Sequence, residues 1–273
     1  MKQDVEKHYT KGGQLAGKIA AGLEASGKSL ETLTTRDLAP VDEFHIRGRK
    51  ATLELGAEMN LSDASRVLDL GSGLGGPART LAETYGCQVT GIDLTEMFCE
   101  AAGTLSGWVG LGSKVSFDHG DATALPYPDD HFDAAMTIHV AMNIAAKDRL
   151  YAEAFRTLRP GGRFAVYDVI QGDGGGIHFP VPWAREAAIS HLATHDQMER
   201  LLTNAGFKVL KTQDSSAQSL TWFQDMKSRA ASSGLPAVSI QLILGDDYLE
   251  MVRNQIRNLA EDRIRTMTYI CER

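Results

Sequence analysis

A glycine-rich run in the first third of the chain has the clearest chemical meaning. Residues 67–70 form a short apolar stretch that contains Asp69, and Gly71, Gly73, Gly75 and Gly76 follow before a helical pattern begins. Glycines at such a turn let a ligand approach the backbone N–H groups at a helix start. The run therefore predicts a site for a nucleotide-like ligand.

The glycine spacing alone leaves two cofactors open. Gly71-x-Gly73-x-x-Gly76 fits the dinucleotide fingerprint, in which an acid about 20 residues further on binds a ribose. Asp93 lies at such a distance. An NAD-dependent oxidoreductase is therefore one interpretation, although Tyr151 is followed four residues later by Phe155 and not by the lysine of short-chain enzymes.

Three acids favour a sulfonium cofactor over a dinucleotide. Asp69 precedes the first glycine by two residues, where it suits a cationic ammonium and would repel a pyrophosphate. Asp93 ends the second predicted strand and can accept from both ribose hydroxyls, and Asp121 follows the third strand, within reach of an adenine amino group. The alternative is helix capping or turn formation, with Asp121 starting the turn before residues 125–126.

Strand and helix patterns alternate through the middle of the chain. This alternation predicts βαβ units in an α/β, doubly wound and mostly parallel sheet. The predicted strands are 66–70, 88–92, 115–118, 132–138 and 163–170, and the predicted helices between them are 77–85, 97–109 and 147–158.

The flanking regions predict additional helices and a flexible cover. Helices are expected at 14–25 and 48–59 with a loop at 40–48, and the glycine-rich segment 172–183 is interpreted as a mobile lid. A helix at 195–205, a strand from 207, helices near 218–230 and 246–262 and a last strand at 265–270 follow. We divide the chain into an N-terminal helical cap (1–62), a cofactor-binding core (63–171), and a lid with substrate-side helices and completing strands of the same domain (172–273).

With these motifs in place, residues 66–170 resemble the core of class I S-adenosylmethionine-dependent methyltransferases. Asp69-x-Gly71-x-Gly73-x-Gly75, Asp93, Asp121 and residues 159–162 stand at that family's motif positions. The stretches 70–79, 90–94 and 44–48 are similar to the branch that includes phosphoethanolamine and sarcosine/dimethylglycine N-methyltransferases. The resemblance implies a Rossmann-like seven-stranded sheet with an antiparallel last strand, S-adenosylmethionine as cofactor and S-adenosylhomocysteine as product.

The resemblance also extends the predicted cofactor site. In that branch an N-terminal tyrosine and the residues before an upstream glycine close over the cofactor, which implies Tyr9, Phe44 and His45 here. The complete prediction comprises Tyr9, Phe44, His45, Asp69, Gly71, Ser72, Gly73, Gly75, Asp93, Leu94, Asp121, Ala122 and His139.

Two histidines are candidate catalysts for methyl transfer. His139 follows the fourth strand and, with an ordinary pKa of about 6.5, can act as a general base near neutrality; the alternative is that it only shapes the pocket. His178, in the predicted lid beside Phe179 and Trp183, is the second candidate. The phosphobase branch carries an Asp and a His four residues apart in the strand-four segment, whereas this chain has His139 and Asn143, so we assign no specific acceptor.

Composition narrows the class of partner. The net charge of −7 offers no general basic surface for nucleic acid, and no apolar run approaches the ~18 residues that cross a membrane. Three scattered cysteines predict neither a disulfide framework nor a metal site and fit a cytoplasmic location. We therefore expect a methyltransferase acting on a small-molecule N, O or C acceptor; the alternatives are the oxidoreductase and a catalytically inactive methyltransferase-like subunit.

Overall fold

The computed structural model describes residues 15–234, 236 and 238–273, so Tyr9 lies outside the described residues. Seven strands form one sheet in the order β3-β2-β1-β4-β5-β7-β6. β1 to β5 pair in parallel, and β7 runs antiparallel to both β5 and β6. The strands are β1 Arg66–Leu70, β2 Gln88–Asp93, β3 Val115–His119, β4 Phe132–Ile138, β5 Leu158–Gln171, β6 Lys208–Asp214 and β7 Ile264–Glu272.

Helices pack against the sheet, and further helices precede β1 and follow β6 in the chain. Those described are α1 Leu15–Ala25, α2 Thr35–Asp42, α3 Gly48–Ala57, α4 Gly76–Tyr85, α5 Glu96–Trp108, α6 Lys147–Thr157, α7 His195–Asn204, α8 Ser216–Ser233, α9 Gln241–Leu244 and α10 Tyr248–Ala260. The Rossmann-like α/β sheet and its antiparallel last strand are thereby confirmed. No helix among the described residues has the length and apolar character required to cross a bilayer.

The sheet is buried on both faces by separate apolar layers. Leu68 and Leu70 of β1 pack with α6 and α7 on one face, whereas Val67 packs with α3 and α4 on the other. Because successive side chains of a strand alternate between faces, Asp69 lies on the same side as Val67. This face carries the N-terminal helices that cover the predicted site.

The predicted loop at 40–48 is wrong at its start. Helix α2 continues through Pro40 to Asp42. The Asp37 carboxylate accepts from the N–H and hydroxyl of Thr34 at the beginning of this helix, and Leu38 and Val41 are fully buried. This local capping and tertiary burial outweigh the one helical hydrogen bond that a proline removes.

The segment 172–183, predicted as a mobile lid, is anchored to the end of the chain. Gly172 N–H donates to Arg263 O (3.0 Å), and Gly174 N–H donates to Asp262 O (2.7 Å). A Cβ at Gly174 would overlap the backbone of residues 261–263. Close backbone packing thus explains Gly172 and Gly174 at the base of the segment, and the mobile lid over 172–183 stays a prediction.

Candidate active site

The strand order creates a crevice at the carboxyl ends of the central strands. β1 and β4 are neighbours in the sheet. The connection after β1 leads to β2 on one side and the connection after β4 leads to β5 on the other, and open α/β sheets bind ligands where connections diverge in this way. A cavity of about 1560 Å³ opens there. It extends from the glycine loop to the C-terminal helices α8 and α10.

The N–H groups of the glycine loop donate mainly to the end of β2. Gly71 N–H and Ser72 N–H donate to Ile92 O (2.8 and 3.1 Å), and Gly75 N–H donates to Ser72 O (2.8 Å). Gly73 N–H donates to the Asp93 carboxylate (2.8 Å). The expectation that these N–H groups face a ligand is therefore corrected, since they are already satisfied within the loop and by β2.

Two of the loop glycines are required by close approach. Gly71 and Gly73 have φ of +77° and +52°, a region that favours glycine. A Cβ at Gly73 would lie 2.9 Å from the Phe44 ring, and a Cβ at Gly71 would overlap Val140. Gly71, Ser72 and Gly73 line the cavity, whereas Gly75 does not.

Asp93 is fixed at the cavity wall where β2 ends. Its Oδ2 accepts from Gly73 N–H (2.8 Å) and its Oδ1 from Thr95 N–H (2.9 Å). Burial raises the pKa of Asp93 above its ordinary value, although these N–H donors oppose the rise. Each carboxylate oxygen can accept a second hydrogen bond, so the group is positioned to receive two hydroxyls.

Asp121 both forms a turn and faces the site. Its Oδ1 accepts from Thr123 N–H (2.9 Å) and Thr123 Oγ1 (2.8 Å), as the turn-forming alternative expects. Asp121 also lines the cavity, together with Leu94 and Ala122. The structure therefore brings these three residues to the same wall as Asp93.

Asp69 lies behind this wall. Its side chain is buried (2% exposed) and does not line the cavity, and its Oδ2 has no hydrogen-bond partner among the described residues. Burial, reinforced by the nearby Asp93 and Glu43 carboxylates, raises its pKa to about 8. The structure thus places Asp69 near Asp93 but not on the cavity wall that Asp93 lines.

A cluster of three rings borders the middle of the cavity. The ring centroid of His139 lies 5.9 Å from that of His45 and 4.9 Å from that of Tyr167. His139 has φ +54°, and its N–H donates to Tyr167 O (2.8 Å). Its Nε2 is buried with no hydrogen-bond partner in the described chain.

Both histidines of this cluster are neutral near pH 7. Burial lowers the pKa of His45 to about 4 and that of His139 well below the ordinary value, where the neighbouring His45 adds to the effect. His45 Nε2 lies 3.0 Å from Gly48 O, a contact that indicates a protonated Nε2. His45, Phe44 and His139 all line the cavity.

The structure separates His178 from the other predicted residues. His178 N–H donates to Asn258 Oδ1 (2.9 Å), and its Nε2 lies 3.0 Å from a Glu261 oxygen. His178 does not line the cavity, so it does not join His139. Asn143 has a supporting position, since its Nδ2 donates to Trp183 O (2.7 Å) and Ile189 O (3.0 Å).

Glu43 is a site residue that the sequence analysis missed. It is buried at the cavity wall and accepts from Thr52 Oγ1 (2.6 Å) and Thr80 Oγ1 (2.5 Å), with His45 Nε2 at 3.6 Å. Burial raises its pKa above the ordinary value. Its position directly before the 44–48 motif was the available signal.

The fold and this site define the class I methyltransferase architecture. Residues 68–166 match the family model described as a methyltransferase domain. Methyltransferase GfsG of Streptomyces halstedii is 36% identical over 134 residues, 49% of this chain and 48% of that protein. A sterol 24-C-methyltransferase of Gibberella zeae is 35% identical over 119 residues, 44% of this chain and 31% of that protein. The matched segments thus span about a third to a half of these relatives.

Solved structures with the same fold cover almost the whole chain. Phosphoethanolamine N-methyltransferase 2 of Haemonchus contortus, in complex with S-adenosyl-L-methionine, has a TM-score of 0.73 at 18% identity and covers 93% of this chain and 60% of that one. The [4+2]-cyclase SpnF has a TM-score of 0.64 at 23% identity and covers 96% and 94%. At these identities the likeness shows the fold.

Proposed function

We propose that this protein transfers a methyl group from S-adenosylmethionine to a small-molecule acceptor. The observation that carries the proposal is the Asp93 carboxylate, held by Gly73 and Thr95 N–H at the end of β2 on the wall of a large cavity. The match of residues 68–166 to a methyltransferase domain supports the same reaction.

The residues around Asp93 fit the chemistry of this cofactor. Asp93 would accept from the ribose hydroxyls, Leu94 and Ala122 would border the adenine with Asp121, and Phe44 would cover the loop. The engaged N–H groups of residues 71–73 are compatible with a cofactor that lacks a pyrophosphate. Bound S-adenosylmethionine would supply a methyl group made electrophilic by its sulfonium.

His139 is the residue we assign to the acceptor. His139 lines the cavity, and its buried Nε2 has no hydrogen-bond partner in the described chain, so a rotation of the neutral imidazole toward the cavity would let this atom accept from an acceptor O–H or N–H. The lowered pKa weakens it as a base while keeping it unprotonated near neutrality. We therefore propose that His139 orients the acceptor and receives its proton only as the new bond forms.

Calorimetry with S-adenosylhomocysteine tests the cofactor site. We expect micromolar binding to the intact protein and at least about a hundredfold loss in Asp93→Ala, because each hydrogen bond to a charged acceptor contributes about 1.5–3 kcal/mol. Asp118→Ala is the matched control, since Asp118 is an exposed acid of β3 outside the cavity. Absence of binding to the intact protein would contradict the proposal.

Turnover separates an enzyme from a subunit that only binds cofactor. With methyl-labelled S-adenosylmethionine and a panel of metabolites, we expect label in an acceptor. Binding of cofactor without any transfer would favour the inactive subunit. NADH binding, seen as enhanced NADH fluorescence, would instead favour the oxidoreductase, which no contact of the glycine loop supports.

We also propose a cytoplasmic location. Cys87, Cys99 and Cys271 are buried and form no disulfide, as expected for a reducing compartment. Fractionation of cells that express the tagged protein checks this; recovery in an oxidising compartment would contradict it.

A further inference from the structure

The half of the cavity beyond His139 has walls that are mainly apolar. We call it the acceptor half, and it is formed by the end of segment 172–183, the short helix after β4, and helices α8 and α10. The apolar side chains that line it include Met142, Trp183, Trp222, Phe223, Met226 and Val252. They belong to one apolar cluster, which buries Met142, Trp183 and Phe223 and leaves the others partly buried.

One wall of this half is rigidly supported. Trp183 is buried (1% exposed), and its Nε1 donates to Ser190 Oγ (3.0 Å). Its carbonyl accepts from Asn143 Nδ2 (2.7 Å). Because the first bond holds the indole and the second holds its backbone, Trp183 is a fixed part of this apolar wall.

The acceptor half offers no counter-charge to a cationic acceptor. Among the described lining residues, the carboxylates are Asp42, Glu43, Asp93 and Asp121, all of which belong to the N-terminal helices or to the cofactor side. Asp42 is paired with Arg79 at 2.7 Å, and the other three accept the hydrogen bonds described above. An ammonium beyond His139 would therefore be desolvated without a carboxylate to balance its charge.

A phosphate finds no unpaired buried cation among the described lining residues, since the buried Arg47 is paired with Glu54. Lys227, Arg229 and Arg253 contribute to the lining, but all three are exposed and lie where the cavity meets solvent. Exposed cations give little net stabilisation to a pair because water and salt screen them. Neither charge of a phosphobase is therefore matched by the walls that would contact it.

We propose that the methyl acceptor is a neutral, bulky and largely apolar metabolite that presents one polar reacting atom to His139. This assignment rests on the proposed methyl transfer. The cavity of about 1560 Å³ exceeds the 300–1000 Å³ of a typical single-ligand site, so it has room for a cofactor and a large acceptor together. Apolar walls select such a body by excluding water from it.

Binding of neutral and charged probes tests this assignment without requiring turnover. Tryptophan fluorescence, reported by Trp183 and Trp222, is titrated with testosterone, erythronolide B and farnesol as neutral probes, and with phosphoethanolamine and sarcosine as charged ones. Each titration is run with and without S-adenosylhomocysteine. We expect at least one neutral probe to bind with a Kd below about 100 μM, and both charged probes to bind at least about tenfold more weakly.

Val252→Glu places a carboxylate in the acceptor half, and Leu242→Glu is the matched control on an exposed surface outside the cavity. We expect Val252→Glu to raise the Kd of the neutral probe at least about tenfold and Leu242→Glu to change this Kd less than about twofold. Both variants should still bind S-adenosylhomocysteine. Failure of all three neutral probes, tighter binding of a charged probe, or an equal effect of the two variants would overturn the assignment. If the unmodified protein does not bind S-adenosylhomocysteine, the proposed function itself is contradicted.

Discussion

Asp69→Asn should stabilise the protein in a pH-dependent way. The Asp69 carboxyl is buried on the central strand of the sheet, beside two further acids, and one of its oxygens has no partner in the described chain. Asparagine has almost the same shape but cannot ionise. The substitution therefore removes the cost of a buried carboxylate while leaving the packing in place.

The magnitude follows from the pKa of Asp69. Burial raises this pKa from the ordinary value of 3.8 to about 8, so the folded protein holds a proton that the unfolded chain has lost between these limits. The free energy of unfolding then falls as pH rises, by ~1.4 kcal/mol per pH unit, and levels off above about 8. The advantage of Asp69→Asn should thus grow by about 3 kcal/mol between pH 5 and pH 7.

Urea unfolding at pH 5, 6, 7 and 8 measures this difference. The contributions of Asp93 and Glu43, whose pKa values are also raised, are present in both proteins and largely cancel. A constant difference between Asp69→Asn and the unmodified protein at all four pH values would refute the reasoning.

The remaining predictions concern the loop and the rings around it. Arg79→Met breaks the fully buried ion pair with Asp42 and should lower the free energy of unfolding in urea by about 3–5 kcal/mol; a loss below 1 kcal/mol would contradict this. Gly73→Ala brings a Cβ to 2.9 Å from Phe44 at φ +52° and should weaken S-adenosylhomocysteine at least about tenfold by calorimetry. His139→Gln should lower kcat about a hundredfold and leave cofactor binding unchanged; an unchanged kcat would remove His139 from the mechanism. Because His139 stays neutral, the kcat of the unmodified protein should not change between pH 6 and 8.

Local sequence patterns determined the sheet and the cofactor side. The alternation of apolar strands and helices has a short range, so four of the five parallel strands were predicted to within one residue of their observed bounds. The fifth, β5, begins at Leu158, five residues before its predicted start. Asp93 was also accessible to this reasoning, because a residue at the end of a parallel strand faces the crevice whatever the details of packing. Pro40 misled the prediction, because the burial that keeps it helical comes from distant residues.

Tertiary structure alone decided which predicted residues meet. Asp69 and Asp93 lie on the same face of the sheet, yet only Asp93 lines the cavity. Asp69 stands inside β1 and is buried, whereas Asp93 is the last residue of β2 and reaches the open edge of the sheet. His178 was separated from His139 by its bonds to α10, which is 80 residues away in the chain. The apolar acceptor half likewise depends on α8 and α10 folding back over the sheet, and contacts between segments so far apart leave no local pattern in the sequence.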